Sequence, residues 1–291
     1  MALTVLTALW LTFSVGEARA QAGGPIRIQD AIESDTLGLL TLNIAHGRGT
    51  SLNQLLVSRE GHRRNLEDIA SLLRVTDVDI AALQEADAPS LWSGNFDHVQ
   101  QLAELTGFQS VVHGHHADSW LFSYGAALLS RVTMLDTASH NFAPSWPTAG
   151  KGYVRGSVLW QGADRRLPPH LVTIVSVHLD FSRRSVRAAQ TAELLANLAT
   201  LPRPLIVMGD FNASWVEVES PVRELAEQAG LRSYRPLAQD LGTYKESARL
   251  DWILISEGLT FREYTVVPDI VSDHLAVVAR IGLDGTKEFT P

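Results

Sequence analysis

Four short apolar runs in this chain each end in a polar residue that packing does not explain. Residues 37–42 lead to Asn43, 78–84 to Glu85, 171–177 to His178 and 205–208 to Asp210. Runs of this length suit a strand and are short for a buried helix. Because they are apolar at successive positions, such strands must be covered on both faces. Helical periodicity lies between them: Leu66, Ile69, Ala70 and Leu73 fall at i, i+3, i+4 and i+7, and Ala188, Ala192, Leu195 and Ala199 share one face of a helix over 183–199. Further helices are predicted over 96–105 and 221–228, and further strands over 108–112, 124–130, 153–160, 252–255, 261–267 and 275–281. Strands that outnumber helices, some consecutive and some in βα units, predict an α/β fold of two packed sheets with helices outside.

The last of the four runs ends in Gly209-Asp210-Phe211-Asn212. Strand side chains alternate faces, so Asp210 and Asn212 are expected to point one way and Phe211 back into the protein. Three more polar residues stand at the opposite, N-terminal ends of apolar runs: Asp251, Asp273 and His274. If the last strands run antiparallel to the first four, all seven strand-end residues meet on one rim.

Asp210, Asp251, Asp273 and Glu85 would repel one another strongly if left uncompensated. A hard divalent cation relieves that repulsion, and Mg²⁺ favours one or two carboxylates with waters and phosphate oxygens. Mn²⁺ would suit the same donors. His178 and His274 add donors for a phosphate and an acid for a leaving group. The chain has no Gly-x-x-x-x-Gly-Lys loop, Gly-x-Ser-x-Gly elbow or His-Glu-x-x-His helix. The residue set therefore points to attack of water on a phosphate ester. Arg48, between Gly47 and Gly49, and Arg155, on a strand, are candidate phosphate ligands. His113, His115 and His116 read as a solvent-exposed loop, because no carboxylate or cysteine near them completes a metal site.

These segments resemble the endonuclease/exonuclease/phosphatase superfamily of deoxyribonuclease I-like enzymes. The matching pieces are Thr41-Leu42-Asn43, Leu83-Gln84-Glu85, Ser176-Val177-His178-Leu179, Gly209-Asp210-Phe211-Asn212, Arg249-Leu250-Asp251 and Ser272-Asp273-His274, in the family's order. The resemblance implies a four-layer α/β sandwich, two mixed sheets flanked by helices, over residues 35–285. It further implies that Glu85 is the main metal ligand, with Asn43 and Asp273 contributing. Asp210 would orient or deprotonate the attacking water, and Asn212 and His274 would bind the phosphate. Asp251 would fix the ring of His274, and His178 would bond the phosphate or assist the leaving group. A second acid that some members carry two residues after the first Asn is Ala45 here. Deoxyribonuclease-type members pair the middle histidine with a Glu; Asp180 and Asp118 are the candidates for that role.

The remaining features bear on place and partner. Residues 3–15 form an apolar stretch followed by Ala18-Arg19-Ala20 and Ala20-Gln21-Ala22, so residues 1–22 read as an export signal, although no Lys or Arg precedes the stretch. With no cysteine, an exported form would have no disulfide support. The net charge of -8 disfavours an open nucleic-acid surface without excluding a nuclease. Trp92, Trp120, Phe122 and Trp146 fall in loop-like stretches and are the candidates for contact with a membrane surface. The expectation is a monomeric, exported, metal-dependent phosphoesterase. A secreted nuclease is the alternative enzyme, and a non-catalytic binding protein on the same scaffold is the alternative class.

Overall fold

The computed structural model describes residues 31–245 and 247–284. The predicted export signal lies outside them. In chain order the elements are β1 (Ile32–Glu33), β2 (Leu37–Asn43), α1 (Arg59–Thr76), β3 (Ile80–Asp87), α2 (His98–Thr106), β4 (Ser110–His113), β5 (Ala117–Asp118) and β6 (Ser123–Ser130). They continue with β7 (Leu135–Asn141), β8 (Gly152–Gln161), β9 (His170–His178), α3 (Arg184–Leu198), β10 (Leu205–Asp210), α4 (Pro221–Gln228), β11 (Leu231–Ser233), β12 (Asp251–Ser256), β13 (Leu259–Val266) and β14 (Val277–Leu283).

The strands form two mixed sheets. One has the order β1-β8-β9-β10-β12-β11 with β7 on the outer side of β8, and the other β13-β14-β2-β3-β6-β4 with β5 against β6. Alternation of side chains along each central strand explains the layering. In β10, Ile206 and Met208 enter the core between the sheets, while Leu205 and Val207 face α3 and α4. In β2, Leu39 faces the other sheet and Leu40 and Leu42 meet α1 and α2. Both faces of each sheet are thus covered, giving the four-layer α/β sandwich.

The helices begin where their sequences supply caps. Ser58 accepts from Gly61 N at 3.1 Å to start α1, and Asp97 accepts from Gln100 N at 2.9 Å to start α2. Gly107, at φ 76°, ends α2 in the left-handed region.

Strand direction gathers the polar ends. β9 and β10 run parallel, with Asp210 beside His178, and β12 runs antiparallel to β10, with Asp251 on Asp210's other side. In the second sheet β2 and β3 are parallel and β14 is antiparallel to β2. Asn43, Glu85, His178, Asp210, Asp251, Asp273 and His274 therefore share one rim.

Some local expectations were wrong. β7 falls on a stretch with no apolar run, since an edge strand with half-exposed side chains needs none. His113 lies on β4 and bonds the Ala86 carbonyl at 2.9 Å, and His116 is buried, so of the three only His115 is an exposed loop residue. Close backbone approach at Gly114 and Gly125 is what lets the segment fold onto the sheet.

Candidate active site

Asp210 is the buried centre of the rim. Three donors hold its carboxylate: Asn43 Nδ2 at 3.0 Å, Asn212 N at 2.8 Å and Asn212 Nδ2 at 3.2 Å. The Asn43 bond joins the two sheets directly. Gly209 makes this strand end possible: its φ is 148°, and a Cβ there would collide with the carbonyl oxygen of Val177. The strand stops at Asp210, and Asn212 turns back at φ 49°. A left-handed turn, rather than strand alternation, brings the two side chains together. Phe211 is buried as expected.

On one side of Asp210 stands His274, with Nε2 at 3.9 Å, and its Nδ1 lies 2.8 Å from Asp251 Oδ2. The ring of Tyr244 packs on His274 at 4.8 Å between centroids. On the other side stands His178, with Nε2 3.5 Å from Asp210. Glu85 Oε1 lies 4.0 Å beyond it.

The partner of His178 is a lysine. Lys151 Nζ lies 3.0 Å from its Nε2 and 3.2 Å from its Nδ1, and 3.8 Å from Glu85 Oε1. Neither suggested acid is there: Asp180 accepts from Ser182 and Arg183 ahead of α3, and Asp118 is exposed on β5. The sequence does carry a signal for Lys151, which precedes a strand antiparallel to the one ending in His178, the relation that singled out Asp251. His46 and Asp87 were also missed; His46 Nε2 lies 3.3 Å from Glu85 Oε2 and its Nδ1 2.8 Å from Asp87 Oδ1.

These neighbours set the charges. Burial pushes the Asp210 carboxyl up to about 6, Asp251 adds to that, and His274 opposes it. Burial would also raise Glu85, but His46, Lys151 and His178 outweigh it and hold the carboxyl at about 2. Burial lowers His274, yet Asp251 and Asp210 lift it to about 10. For His178, burial and then the Lys151 ammonium drive the imidazole well below its usual range. His178 is therefore a neutral ring, which does not suit it to deliver a proton as an imidazolium.

A pocket of about 470 Å³ opens onto the group, lined by Asn43, Glu85, His178, Asp210, Asn212, Asp273 and His274 together with Arg48, Phe181, Tyr244 and Leu250. Arg48 Nη2 pairs with Asp273. Arg155 is not brought to the site: it bonds the Asp136 carbonyl on the sheet's outer edge.

The donor set fits a divalent cation at Glu85, Asn43 and Asp273. These are hard oxygen ligands around one pocket. The carboxyl side chains of Glu85 and Asp273 are 21% and 32% exposed, against 1% and 0% for Asp210 and Asp251. Among the described residues, Asp210, Asp251 and His274 offer ligand atoms within 4.8 Å of one another, but the Asp251–His274 hydrogen bond already accounts for that cluster.

Comparisons with known proteins bear on the fold and the family. The model of the Endonuclease/Exonuclease/phosphatase family matches residues 40–274. Among solved structures, an endonuclease/exonuclease/phosphatase from Beutenbergia cavernae is 18% identical with a TM-score of 0.67, covering 86% of this chain and 72% of that one. The human nocturnin catalytic domain, solved with bound sulfate, is 20% identical with a TM-score of 0.63, covering 86% and 95%. A mannosyl-6-phosphatase from Bacteroides thetaiotaomicron is 16% identical with a TM-score of 0.58, covering 84% and 99%. At these identities the likeness is one of fold. No curated protein sequence matches the chain.

Proposed function

Since the chain belongs to the endonuclease/exonuclease/phosphatase family of phosphoesterases and nucleases, we propose that it is an exported hydrolase of phosphate esters that works with Mg²⁺ or Mn²⁺. The observation that carries the reading is Asp210, buried yet bonded by Asn43 and Asn212, between His178 and His274 at the floor of an open pocket.

Each residue has a task in that reaction. Asp210 accepts the proton of the attacking water, a role helped by the burial that makes its carboxylate more basic than usual. Asn43 and Asn212 hold it in one orientation. His274, kept cationic and aimed by Asp251, donates to a phosphate oxygen. His178 donates as a neutral ring. A divalent cation at Glu85, Asn43 and Asp273 would supply charge neutralisation of the phosphate. Arg48 would join the phosphate by exchanging its Asp273 partner for it.

Exposed aromatic side chains at the rim end of the sheets support an ester with an apolar or lipid-like part over a nucleic acid. Trp120 and Trp146 are 82% and 88% exposed, and Phe181, on the pocket wall, is 65% exposed. Trp120 lies in the β5–β6 turn and Trp146 in the β7–β8 loop, both at the rim end of the sheets. Trp92 and Phe122 do not join them, because they pack with each other and with Tyr124. The net charge of -8 also weighs against a backbone-tracking nuclease. Export rests on the apolar stretch at 3–15 and the small residues after it.

The test is hydrolysis of a panel with and without chelator: plasmid DNA, RNA, sphingomyelin and phosphatidylinositol in vesicles, inositol phosphates, sugar phosphates and bis-p-nitrophenyl phosphate. The reading expects chelator-sensitive release from at least one small or lipid ester, abolished in Asp210→Ala. Full activity of Asp210→Ala on every hydrolysed substrate would sink it.

A further inference from the structure

Glu85 does not sit where strand periodicity would place it. Along β3, Gln84 turns inward, donating to Ser176 Oγ in the opposite sheet at 3.1 Å, while Leu83 and Ala86 both face α1 and α2. Regular alternation would send residue 85 to the helix side. Instead β3 slips its register against β6 between Leu83 and Ala86, and Glu85 takes φ 50°. This bulge re-aims one carboxylate to the rim. A left-handed glutamate is costly, and it persists only where its surroundings fix it.

A second left-handed segment faces it. Ala45, His46 and Gly47 follow one another at φ 46°, 57° and 62°. The turn is held from beneath, since Gly47 O accepts from His62 Nδ1 at 3.1 Å and Asn65 Nδ2 at 2.9 Å, and Asn43 Oδ1 accepts from Ala45 N at 3.0 Å. What the turn presents is the His46 ring, Nε2 toward Glu85 Oε2 and Nδ1 on Asp87 Oδ1. The edges of Tyr124 and Trp92 close on that ring at 4.5 and 5.9 Å. Asp87 is fully buried, and its Oδ2 has no hydrogen-bond partner. Burying a carboxylate with one oxygen unmet is unfavourable unless the other oxygen's bond is worth keeping. That bond is the one to His46.

We propose that His46, oriented by Asp87, is a positioning residue that clamps the re-aimed Glu85 carboxylate in the one rotamer able to bind a divalent cation at this rim. The pair repeats on the Glu85 side what Asp251 and His274 do beside Asp210. It rests on the phosphoesterase reading for the presence of the cation. The clamp leaves Glu85 Oε1 toward the pocket by engaging Oε2, so its loss frees the carboxylate to rotate without removing a ligand.

The test is titration of Mn²⁺ into the full-length protein by calorimetry, beside kcat, KM and melting temperature. The variants are His46→Leu, which removes the donor, His46→Gln, which keeps an amide donor near Nε2, and Asp87→Asn. Partners that orient a metal ligand are worth roughly 10–100-fold in affinity. Mn²⁺ affinity should fall by that factor in His46→Leu and Asp87→Asn and recover in part in His46→Gln. The double variant His46→Leu/Asp87→Asn should bind no more weakly than His46→Leu alone. Should His46→Leu fail to fold, His46→Gln and Asp87→Asn carry the comparison, and Asp87→Asn must still weaken the ion. If the wild type binds Mn²⁺ and hydrolyses esters while folded variants bind it equally well, the clamp is overturned and the phosphoesterase reading stands. If the wild type binds no Mn²⁺ or Mg²⁺ and hydrolyses nothing, both fall together.

Discussion

Lys151 Nζ lies 3.0 Å from Nε2 of His178, so a cation stands closer to the central imidazole of the rim than either neighbouring carboxylate, Asp210 at 3.5 Å or Glu85 at 4.0 Å. An ammonium can only donate, and its positive charge beside both ring nitrogens disfavours a second proton on the imidazole. Lys151 also faces Glu85 at 3.8 Å and thereby spreads positive charge over both sides of the site. Replacing it by methionine keeps length and removes charge. In Lys151→Met the His178 ring should titrate at higher pH than in the wild type, read by nitrogen-detected NMR of the imidazole. Hydrolysis should fall by roughly 10-fold or more as a charged hydrogen-bonding partner is lost. An unchanged His178 titration would show that burial alone keeps the ring neutral.

Asp251 acts only through His274, whose Nδ1 lies 2.8 Å from Asp251 Oδ2. Asp251→Asn preserves shape but removes the charge that, against burial, lifts His274 to about 10. It also offers the ring an amide that can present the wrong group, letting the imidazole turn or change tautomer. The expected loss in kcat is roughly 10²–10⁴-fold, the range for a positioned acid or base. The His274 pKa should drop alongside it. Activity within threefold of the wild type would remove Asp251 from the machinery.

Gly209 is a stability test with an internal control. Its φ of 148° is closed to other residues, and an added Cβ strikes the Val177 carbonyl in the neighbouring strand. Gly209→Ala should cost about 3 kcal/mol or more from backbone strain and collision together. At about 2–4 °C per kcal/mol for a domain of this size, that is a Tm drop of about 6–12 °C. Gly230, at φ 61° with nothing near its Cβ position, should cost about 1 kcal/mol as alanine. Equal effects at the two positions would show that the collision is relieved.

Much of the rim was legible because it follows from strand direction alone. Asn43, His178 and Asp210 close apolar strands, Asp251 opens one, and β12 and β14 run antiparallel as the convergence required. What stayed hidden depends on local departures from periodicity. The bulge at Glu85 and the left-handed backbone at Ala45 and His46 involve residue types that give no sign of positive φ, which hides His46 and Asp87 from a reading of periodicity. Lys151 is hidden because an acid, not a cation, is the expected neighbour of a histidine such as His178. Arg155 looked like a phosphate ligand beside a glycine, but its strand places it three residues from the rim, against Asp136. Burial on both faces leaves a mark in composition, whereas a single bulge leaves none.

Asp210 ties activity and stability together through pH. Its carboxyl sits at about 6 in the folded protein against an ordinary 3.8, chiefly from burial with a further push from Asp251. As the base it works ionised, so kcat/KM should rise about tenfold per pH unit and then level, at a break that the bound cation moves below the value of about 6 in the metal-free protein. The upper limb belongs to His274, which loses its proton near 10. The stability sign is the reverse. A carboxyl that holds its proton more tightly when folded favours the fold below 3.8, and that contribution disappears as pH rises through 6. Glu85, held at about 2 against 4.5, contributes in the opposite sense: its stabilisation is full above 4.5 and is lost as pH falls toward 2. Asp210→Asn should therefore abolish hydrolysis while raising stability at pH 8, by on the order of 1–2 kcal/mol. The gain should shrink as pH falls below 6. Urea unfolding of both proteins at pH 4 and pH 8, in chelator, measures it. A variant less stable than the wild type at pH 8 would mean that the bonds from Asn43 and Asn212 outweigh the buried charge.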